Sequence, residues 1–257
     1  MIDIEKVKKE FDIYVMQFNT NDPKIKLKID HIKRVANISH IIATKLGLDK
    51  EKKELAETIG FFHDIGRFKQ VETYNTFSDR DSVNHAEYAI KVLFEDNLIE
   101  KFNIDEKYKK IIKLAIINHN KNQIDEGLND NEMLFAKIIR DADKLDILYT
   151  ICNYDFESIF WYKDFSCEKI GDIILNDFFN LRQINYQNIK SNADQIIMFY
   201  AYIYDMNFEN SIEYLKSKKY LNTFAKRIEK YFTSQALLKQ MNEVLEFTNN
   251  YLNYRQT

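Results

Sequence analysis

The apolar positions of this chain recur mostly at helical spacing. Residues 4–18 carry apolar side chains at i, i+4, i+7, i+8 and i+11, which form one face of an amphipathic helix. Between Arg67 and Asn84 the helical period fails, which predicts a long polar loop, and loops of this length are more often functional than idle. The pattern predicts further helices at about residues 24–46, 49–63, 105–118, 131–149 and 220–251, and one that begins near His85.

Several helix ends are also marked in the sequence. Gly47 follows the second predicted helix, where a left-handed C-terminal cap is expected. Gly60 stands where a neighbouring helix is expected to approach closely. Ser82 or Asn84 is expected to cap the helix that carries His85 in its first turn.

Composition favours an all-α fold. Five glycines and one proline in 257 residues are too few for a sheet-rich fold with many tight turns. The length allows a full hydrophobic core. We expect one helical-bundle domain over residues 1–257, with a core at about 24–150 and additional, aromatic-rich C-terminal helices at about 151–257. The bundle's last predicted helix is long and charged, and is expected to pack across the bundle or against a second copy in a homodimer.

Charge and cysteine content exclude several classes of protein. A net charge of −3 and a pI near 6.0 give no global attraction for nucleic acids or an anionic membrane, so no stable nucleic acid complex is expected. No apolar run approaches the ~18 residues of a membrane span, and the charged N-terminus lacks the apolar core of a signal peptide. Cys152 and Cys167 form neither a metal spacing nor a disulfide framework. The sequence therefore predicts a cytoplasmic protein with inert thiols.

Candidate chemistry centres on the stretch from Gly60 to Phe68. It places His63 and Asp64 side by side at the end of a predicted helix, and Ile65-Gly66 supplies that ending. Neutral histidine nitrogens and aspartate oxygens are ordinary ligands for divalent first-row metals, and a carboxylate can bridge two ions. A lone His-Asp pair is weak evidence for a metal site.

Further candidate ligands give that pair its weight. Each lone histidine is more often a packed or surface residue than a ligand, and we interpret His40 in that way. Asp143 and Asp146 are three residues apart on one predicted helix, so they can face one way. The remaining candidates, each in a plausible helical context, are His31, His85 and His119.

The arrangement of these residues resembles the HD-domain superfamily of metal-dependent phosphohydrolases. The resemblance covers about residues 24–150. It implies an all-α bundle whose ligands come from several helix ends and hold one or two divalent ions such as manganese or iron. The motifs that carry it are His31-x-x-Arg34-Val35, Phe62-His63-Asp64-Ile65-Gly66-Arg67, His85-Ala86-Glu87-Tyr88-Ala89, Asn118-His119 and Asp143-x-x-Asp146. The metal ligands that it implies are His31, His63, Asp64 and Asp143 for one ion, and His85 and His119 with a bridging Asp64 for the second.

One departure narrows the resemblance. The HD-GYP branch, which hydrolyses cyclic di-GMP, has a doubled histidine followed by Gly-Tyr-Pro. Here His119 is followed by Asn120, and no Gly-Tyr-Pro occurs. The chain is more similar to compact members that act on nucleotides, including those that cleave dinucleoside polyphosphates or remove phosphate from nucleoside phosphates.

The expected activity is hydrolysis of a small phosphorylated, nucleotide-like substrate. Two divalent ions lower the pKa of a bound water, and Asp64 between them is a catalytic candidate. Arg67, three residues after Asp64, is the second catalytic candidate and can hold a phosphate through two hydrogen bonds. Asp146 is expected to orient a ligand histidine or a water. The other candidates for phosphate binding are Lys144, Arg34 and Arg80.

Three alternatives remain open at this point. The protein can be a cyclic-nucleotide or oligonucleotide phosphodiesterase, although pI 6.0 argues mildly against the positive groove that this needs. It can also be a non-catalytic module whose metal site senses a ligand. The aromatic residues beyond position 150 are interpreted mainly as core fillers, with a wall or lid for a nucleobase as the alternative.

Overall fold

A computed structural model describes residues 2–162 and 164–255. Every regular element in these residues is a helix, which confirms the predicted all-α fold. None of the helices in this described part is long and apolar enough to span a membrane. The chain divides into two compact units, one ending at Asp146 and the other beginning at Ile147. The expectation that residues 1–257 act as one domain stays a prediction.

The first unit contains the helices that carry the candidate ligands. A turn of π-helix (Lys91–Glu95) and two 3₁₀ turns (Asp79–Asp81 and Leu98–Phe102) connect its α-helices. These α-helices are α1 (Ile4–Val15), α2 (Pro23–Lys45), α3 (Lys50–Phe62), α4 (Arg67–Tyr74), α5 (His85–Ile90), α6 (Glu106–His119) and α7 (Asp130–Asn153), the last of which runs on into the second unit.

Two glycines allow the backbones of the first unit to approach closely. A Cβ atom on Gly60 in α3 would stand 2.5 Å from the Cα of Ala36 in α2, so the close approach expected there is confirmed. A Cβ atom on Gly66 would stand 2.5 Å from the backbone nitrogen of Ala89 in α5. Neither position has room for a side chain. The two contacts bring α2 and α5 against the segment that carries His63.

The second unit is built around aromatic rings. Phe224 is fully buried, and its ring centroid lies 5.9 Å from that of Phe156 and 6.0 Å from that of Phe199. Short 3₁₀ turns at Tyr186–Asn188 and Tyr202–Asp205 complete the unit. Its α-helices are α8 (Phe156–Ile159), α9 (Asp172–Phe179), α10 (Asn192–Ala201), α11 (Glu209–Lys218), α12 (Tyr220–Tyr231) and α13 (Gln235–Tyr254).

Two predicted segments were wrong. The loop predicted from Arg67 begins with helix α4, which escaped detection because buried Gln70 interrupts its apolar face between Phe68 and Val71. The single helix predicted for residues 220–251 is two helices, because Phe232 adopts an extended backbone and Ser234 caps α13. Neither glycine nor proline marks that break, so the helical period alone did not show it.

Two predicted caps were correct. Gly47 has φ +71° and follows α2 in the left-handed conformation. Asn84 rather than Ser82 caps α5, because its Oδ1 accepts hydrogen bonds from the backbone nitrogens of Ala86 and Glu87. This cap fixes the position of His85, which is the first residue of the helix.

Candidate metal centre

Four of the predicted ligands form a first group in the first unit. Nε2 of His31 lies 3.2 Å from Oδ1 of Asp143 and 3.5 Å from Oδ2 of Asp64. Nε2 of His63 lies 3.6 Å from each of the same two oxygens. The four donor atoms therefore face one common point.

A second group shares Asp64 with the first. Its Oδ1 lies 3.6 Å from Nε2 of His85 and 3.8 Å from Nε2 of His119. The two imidazole nitrogens are 3.0 Å apart. Asp64 thus presents one oxygen to each group, which is the arrangement of a bridging carboxylate. All members of both groups are buried except Asp143, which is half-buried.

The local backbone explains how neighbours in sequence meet at one centre. Adjacent residues of a helix point about 100° apart, so His63 and Asp64 converge only where the helix ends. Helix α3 ends at Phe62, and a turn closed by the hydrogen bond from Ile65 N to Phe62 O follows. The other ligands lie within α2, at the start of α5, at the end of α6 and within α7.

Hydrogen bonds from Nδ1 orient all four imidazoles. His63 donates from Nδ1 to the carbonyl of Gly60 at 2.8 Å, and His119 donates to that of Ile116 at 2.6 Å. The other two rings use carboxylates: Nδ1 of His31 lies 2.7 Å from Asp146, and Nδ1 of His85 bonds Asp79. In a neutral ring with its proton on Nδ1, Nε2 carries a lone pair that can bind a metal.

These lone pairs are the test of whether metal ions fit. Nε2 of His31, Nε2 of His63 and Oδ1 of Asp64 are buried without a hydrogen-bond partner. The facing Nε2 atoms of His85 and His119 would both be acceptors, so they repel each other without a cation. Two nitrogens about 2.1 Å from one ion and at right angles lie about 3.0 Å apart. The residues therefore fit two divalent ions.

The charges around the centre also favour the binding of divalent ions. Burial works to raise the pKa of Asp64, but the charges of Lys28, His63 and Arg67 hold that pKa well below its usual range. Burial lowers the pKa of His119 well below its ordinary value. The three carboxylates around His31 outweigh burial and raise its pKa to about 10. A proton and a divalent ion compete for the same Nε2 lone pair, and negative surroundings favour both.

Among the predicted phosphate-binding residues, Arg67 lies at the centre. Its Nε is 3.5 Å from Oδ1 of Asp64 and is buried without a hydrogen-bond partner. Its Nη1 donates to the carbonyl of Phe77 at 2.6 Å and to Asp79 at 2.8 Å. Arg80 is exposed on its 3₁₀ turn.

Arg34 and Lys144 are differently placed. Arg34 donates from Nε and Nη2 to the two oxygens of Asp146, at 2.6 and 3.0 Å. Because Asp146 also bonds His31, Arg34 supports the orientation of a ligand. Lys144 is buried on α7 beside Asp143. Phosphate contacts by Arg34, Lys144 and Arg80 stay predictions.

Sequence reasoning missed several residues that shape the centre. Lys28 donates from Nζ to Oδ2 of Asp64 at 2.7 Å, and this nitrogen lies 5.2 Å from the centroid of the Phe77 ring. Lys28 stands one helical turn before His31, so helical spacing could have indicated it. Asp79 bonds His85 from an irregular segment, where no period assigns neighbours.

Arg140 was also missed, although it holds the end of α6. The residue is 1% exposed, and its guanidinium donates to the carbonyls of Asn118 at 2.7 Å and Lys121 at 2.6 Å. A buried cation at a helix C-terminus satisfies carbonyls that the helix itself leaves unpaired. Arg140 thus fixes the turn from which His119 projects.

Comparison with known proteins gives one match. Residues 29–148 match the family model of the HD domain, so the resemblance seen in the motifs is confirmed over this range. The matched range contains all six predicted ligands. No curated protein and no solved structure matches the chain.

Proposed function

Because the chain contains an HD domain, the domain of a superfamily of metal-dependent phosphohydrolases, we propose that it hydrolyses a phosphate ester or anhydride of a small, nucleotide-like substrate. The observation that carries this proposal is the pair of buried donor groups that share Asp64. Mixed nitrogen and oxygen donors suit first-row divalent ions, so manganese or iron is part of the proposal. Such ions would lower the pKa of a bound water and neutralise phosphoryl oxygens.

The side chains of this site have separate tasks in the proposed reaction. Asp64 keeps the two donor groups at a set distance because it contributes an oxygen to each. Asp146 and Arg34 hold the imidazole of His31 in place through paired hydrogen bonds. His63 needs no such carboxylate, because a backbone carbonyl of its own helix orients its ring.

Recognition of the phosphoryl group is assigned to two cations. Lys28 contacts one oxygen of Asp64, and Arg67 approaches the other. The cations thus flank the carboxylate that both donor groups share, and a phosphoryl group at that point would meet positive charge from both sides. Arg67 is the stronger candidate for a direct contact, because its buried Nε has no hydrogen-bond partner. Cytoplasmic location, a single HD-type domain and a homodimer stay predictions.

The test is metal analysis of the purified protein followed by a phosphate-release screen with added manganese. Nucleoside phosphates and dinucleoside polyphosphates are the substrates to compare. Replacing Arg67→Ala is expected to raise KM by about 10-fold or more, since hydrogen bonds to charged groups contribute about 1.5–3 kcal/mol. Arg182→Ala, in the second unit, is the matched control and should leave KM unchanged.

Two results would contradict the proposal. A protein that retains no divalent ion and releases phosphate from none of these substrates is not a phosphohydrolase of this class. Activity restricted to cyclic dinucleotides would instead favour the phosphodiesterase alternative.

A further inference from the structure

The segment between α4 and α5 is attached to the metal centre through one carboxylate. Oδ2 of Asp79 accepts a hydrogen bond from the backbone nitrogen of His85 at 3.3 Å, and Nδ1 of His85 bonds the same oxygen. Oδ1 of Asp79 accepts from Nη1 of Arg67 at 2.8 Å and from Nε2 of Gln70 at 3.2 Å. One carboxylate therefore receives four donors from three residues.

The same segment is fixed on both sides of Asp79. Gln70 is fully buried in α4 and donates from Nε2 to Oγ of Ser82 at 2.8 Å and to the carbonyl of Val83 at 3.1 Å. Nη1 of Arg67 donates to the carbonyl of Phe77 at 2.6 Å. The segment therefore packs on the buried face of α4, the face on which Gln70 interrupts the helical period of the sequence.

An ionised carboxylate suits the position better than any neutral side chain. All four partners of Asp79 are donors, and a carboxylate offers about four acceptor sites. An amide could serve the donors on one side only.

We propose that Asp79 is a positioning residue shared by two parts of the site. It holds His85 so that Nε2 faces the other two members of the second donor group, Asp64 and His119, and it holds the guanidinium of Arg67 beside Asp64. The part that concerns Arg67 rests on the proposed function. The part that concerns His85 rests only on metal binding. Loss of Asp79 is therefore expected to weaken binding of the second ion and of the substrate together.

Titration calorimetry with Mn²⁺ on chelator-treated full-length protein tests the first part. The variants are Asp79→Ala, His85→Ala and the control Asp81→Ala, an exposed carboxylate in the same 3₁₀ turn. Loss of a side chain that orients a metal ligand typically costs about 10–100-fold in affinity. We expect Asp79→Ala to show this loss in the Mn²⁺ binding step that His85→Ala removes, and to leave the other binding step unchanged. Asp81→Ala is expected to bind Mn²⁺ with the affinity of the original protein.

Steady-state kinetics test the second part at saturating Mn²⁺, which restores occupancy of the weakened site. Asp79→Ala is expected to raise KM, but by less than Arg67→Ala does, because the carbonyl of Phe77 and Oε1 of Gln70 still accept from Nη1 of Arg67. The double variant is expected to raise KM no further than Arg67→Ala alone. Asp79→Asn keeps the shape but offers acceptors to one side only, so it should recover either the metal affinity or the KM, but not both. Thermal unfolding of each variant identifies those that do not fold, and Asp79→Asn then replaces Asp79→Ala.

The outcomes separate this proposal from the proposed function. The role of Asp79 is refuted if His85→Ala loses a Mn²⁺ binding step while Asp79→Ala and Asp79→Asn keep it. Additive effects of Asp79→Ala and Arg67→Ala on KM would refute the link to Arg67. If Mn²⁺ binding follows Asp79 as expected but no phosphate is released from any substrate, the positioning of His85 stands and the proposed function fails.

Discussion

The two units of this chain bury different kinds of side chain. The first unit encloses four imidazoles, ionised carboxylates and a guanidinium, and several of their polar atoms have no hydrogen-bond partner. The second unit encloses aromatic rings, and its buried polar side chains mostly form hydrogen bonds with backbone groups. Oδ1 and Oδ2 of Asp194 accept from the backbone nitrogens of Gly171 at 2.8 Å and Lys190 at 3.0 Å. Nδ2 of Asn192 donates to two carbonyls, each at 2.9 Å.

The difference teaches how to tell a functional buried polar group from a structural one. Burying a polar atom without a partner costs free energy. Single atoms of this kind also occur in the second unit, at Oη of Tyr204 and Oγ of Ser211, so the mark of a ligand site is that several of them converge, as they do at His31, His63 and Asp64. Asp64 and Asp194 are both buried carboxylates, but only Asp64 has an oxygen without a hydrogen-bond partner. Aromatic rings of the second unit contact one another in its core, and these contacts support the interpretation that the rings fill that core. A wall or lid for a nucleobase stays a prediction.

Replacing the two carboxylates gives the largest expected contrast. Asp64→Ala removes an oxygen from each donor group, so we expect metal content to fall and activity to drop by more than the ~10–100-fold that loss of an outer partner costs. Asp194→Ala leaves two backbone donors unpaired, so it should lower the free energy of unfolding by about 2–4 kcal/mol and leave metal content unchanged. Elemental analysis and urea denaturation measure the two effects. Equal metal content in both variants would remove the contrast.

Truncating a buried aromatic ring should have the opposite effect to Asp64→Ala: it should lower the free energy of unfolding and leave metal binding unchanged. Phe224→Ala leaves a cavity among Phe156, Phe199 and Tyr200, and we expect it to lower the free energy of unfolding by about 3–5 kcal/mol. Tyr254 is 79% exposed, and Tyr254→Ala should change that free energy by less than about 0.5 kcal/mol. Mn²⁺ affinity measured on folded protein should be the same in both variants. A weakened Mn²⁺ affinity in Phe224→Ala would show that this core has more than a packing role.

The smallest expected effect is on the reactivity of a thiol in the second unit. Burial raises the pKa of Cys152 to about 12, because it disfavours the charged thiolate, and the thiol donates to the carbonyl of Tyr220 at 3.2 Å. At pH 8 only about 10⁻⁴ of this group is then thiolate, and that fraction rises tenfold per pH unit. Iodoacetamide should label Cys152 slowly in folded protein and rapidly in urea. Labelling at the same rate in both states would contradict the packed, inert thiol that the sequence predicts.

How much of the site the sequence could predict depended on the range of the interactions. His31, His63, Asp64 and His119 were predictable because helical spacing and helix ends place them locally. Asp79 was not predicted, because it acts on a ligand from a different element. Lys28 was not predicted either: helical spacing places it one turn before His31, but its contact with Asp64 joins two helices. Asp79 in addition lies in an irregular segment, whose contacts depend on the burial of Gln70.

The sequence by itself determined the helical class, most helix positions of the first unit, the cap at Gly47, and the residue types able to bind metal; that Asn84 rather than Ser82 caps α5 was decided by the structure. These properties depend on backbone conformation and side-chain period over a few residues. Only the tertiary structure decided that Asp64 faces two groups, that Phe232 separates α12 from α13, and that one carboxylate serves both His85 and Arg67. The contacts of Asp64 and Asp79 join residues of different elements, and no glycine or proline marks the break at Phe232, so the helical period encodes none of these features.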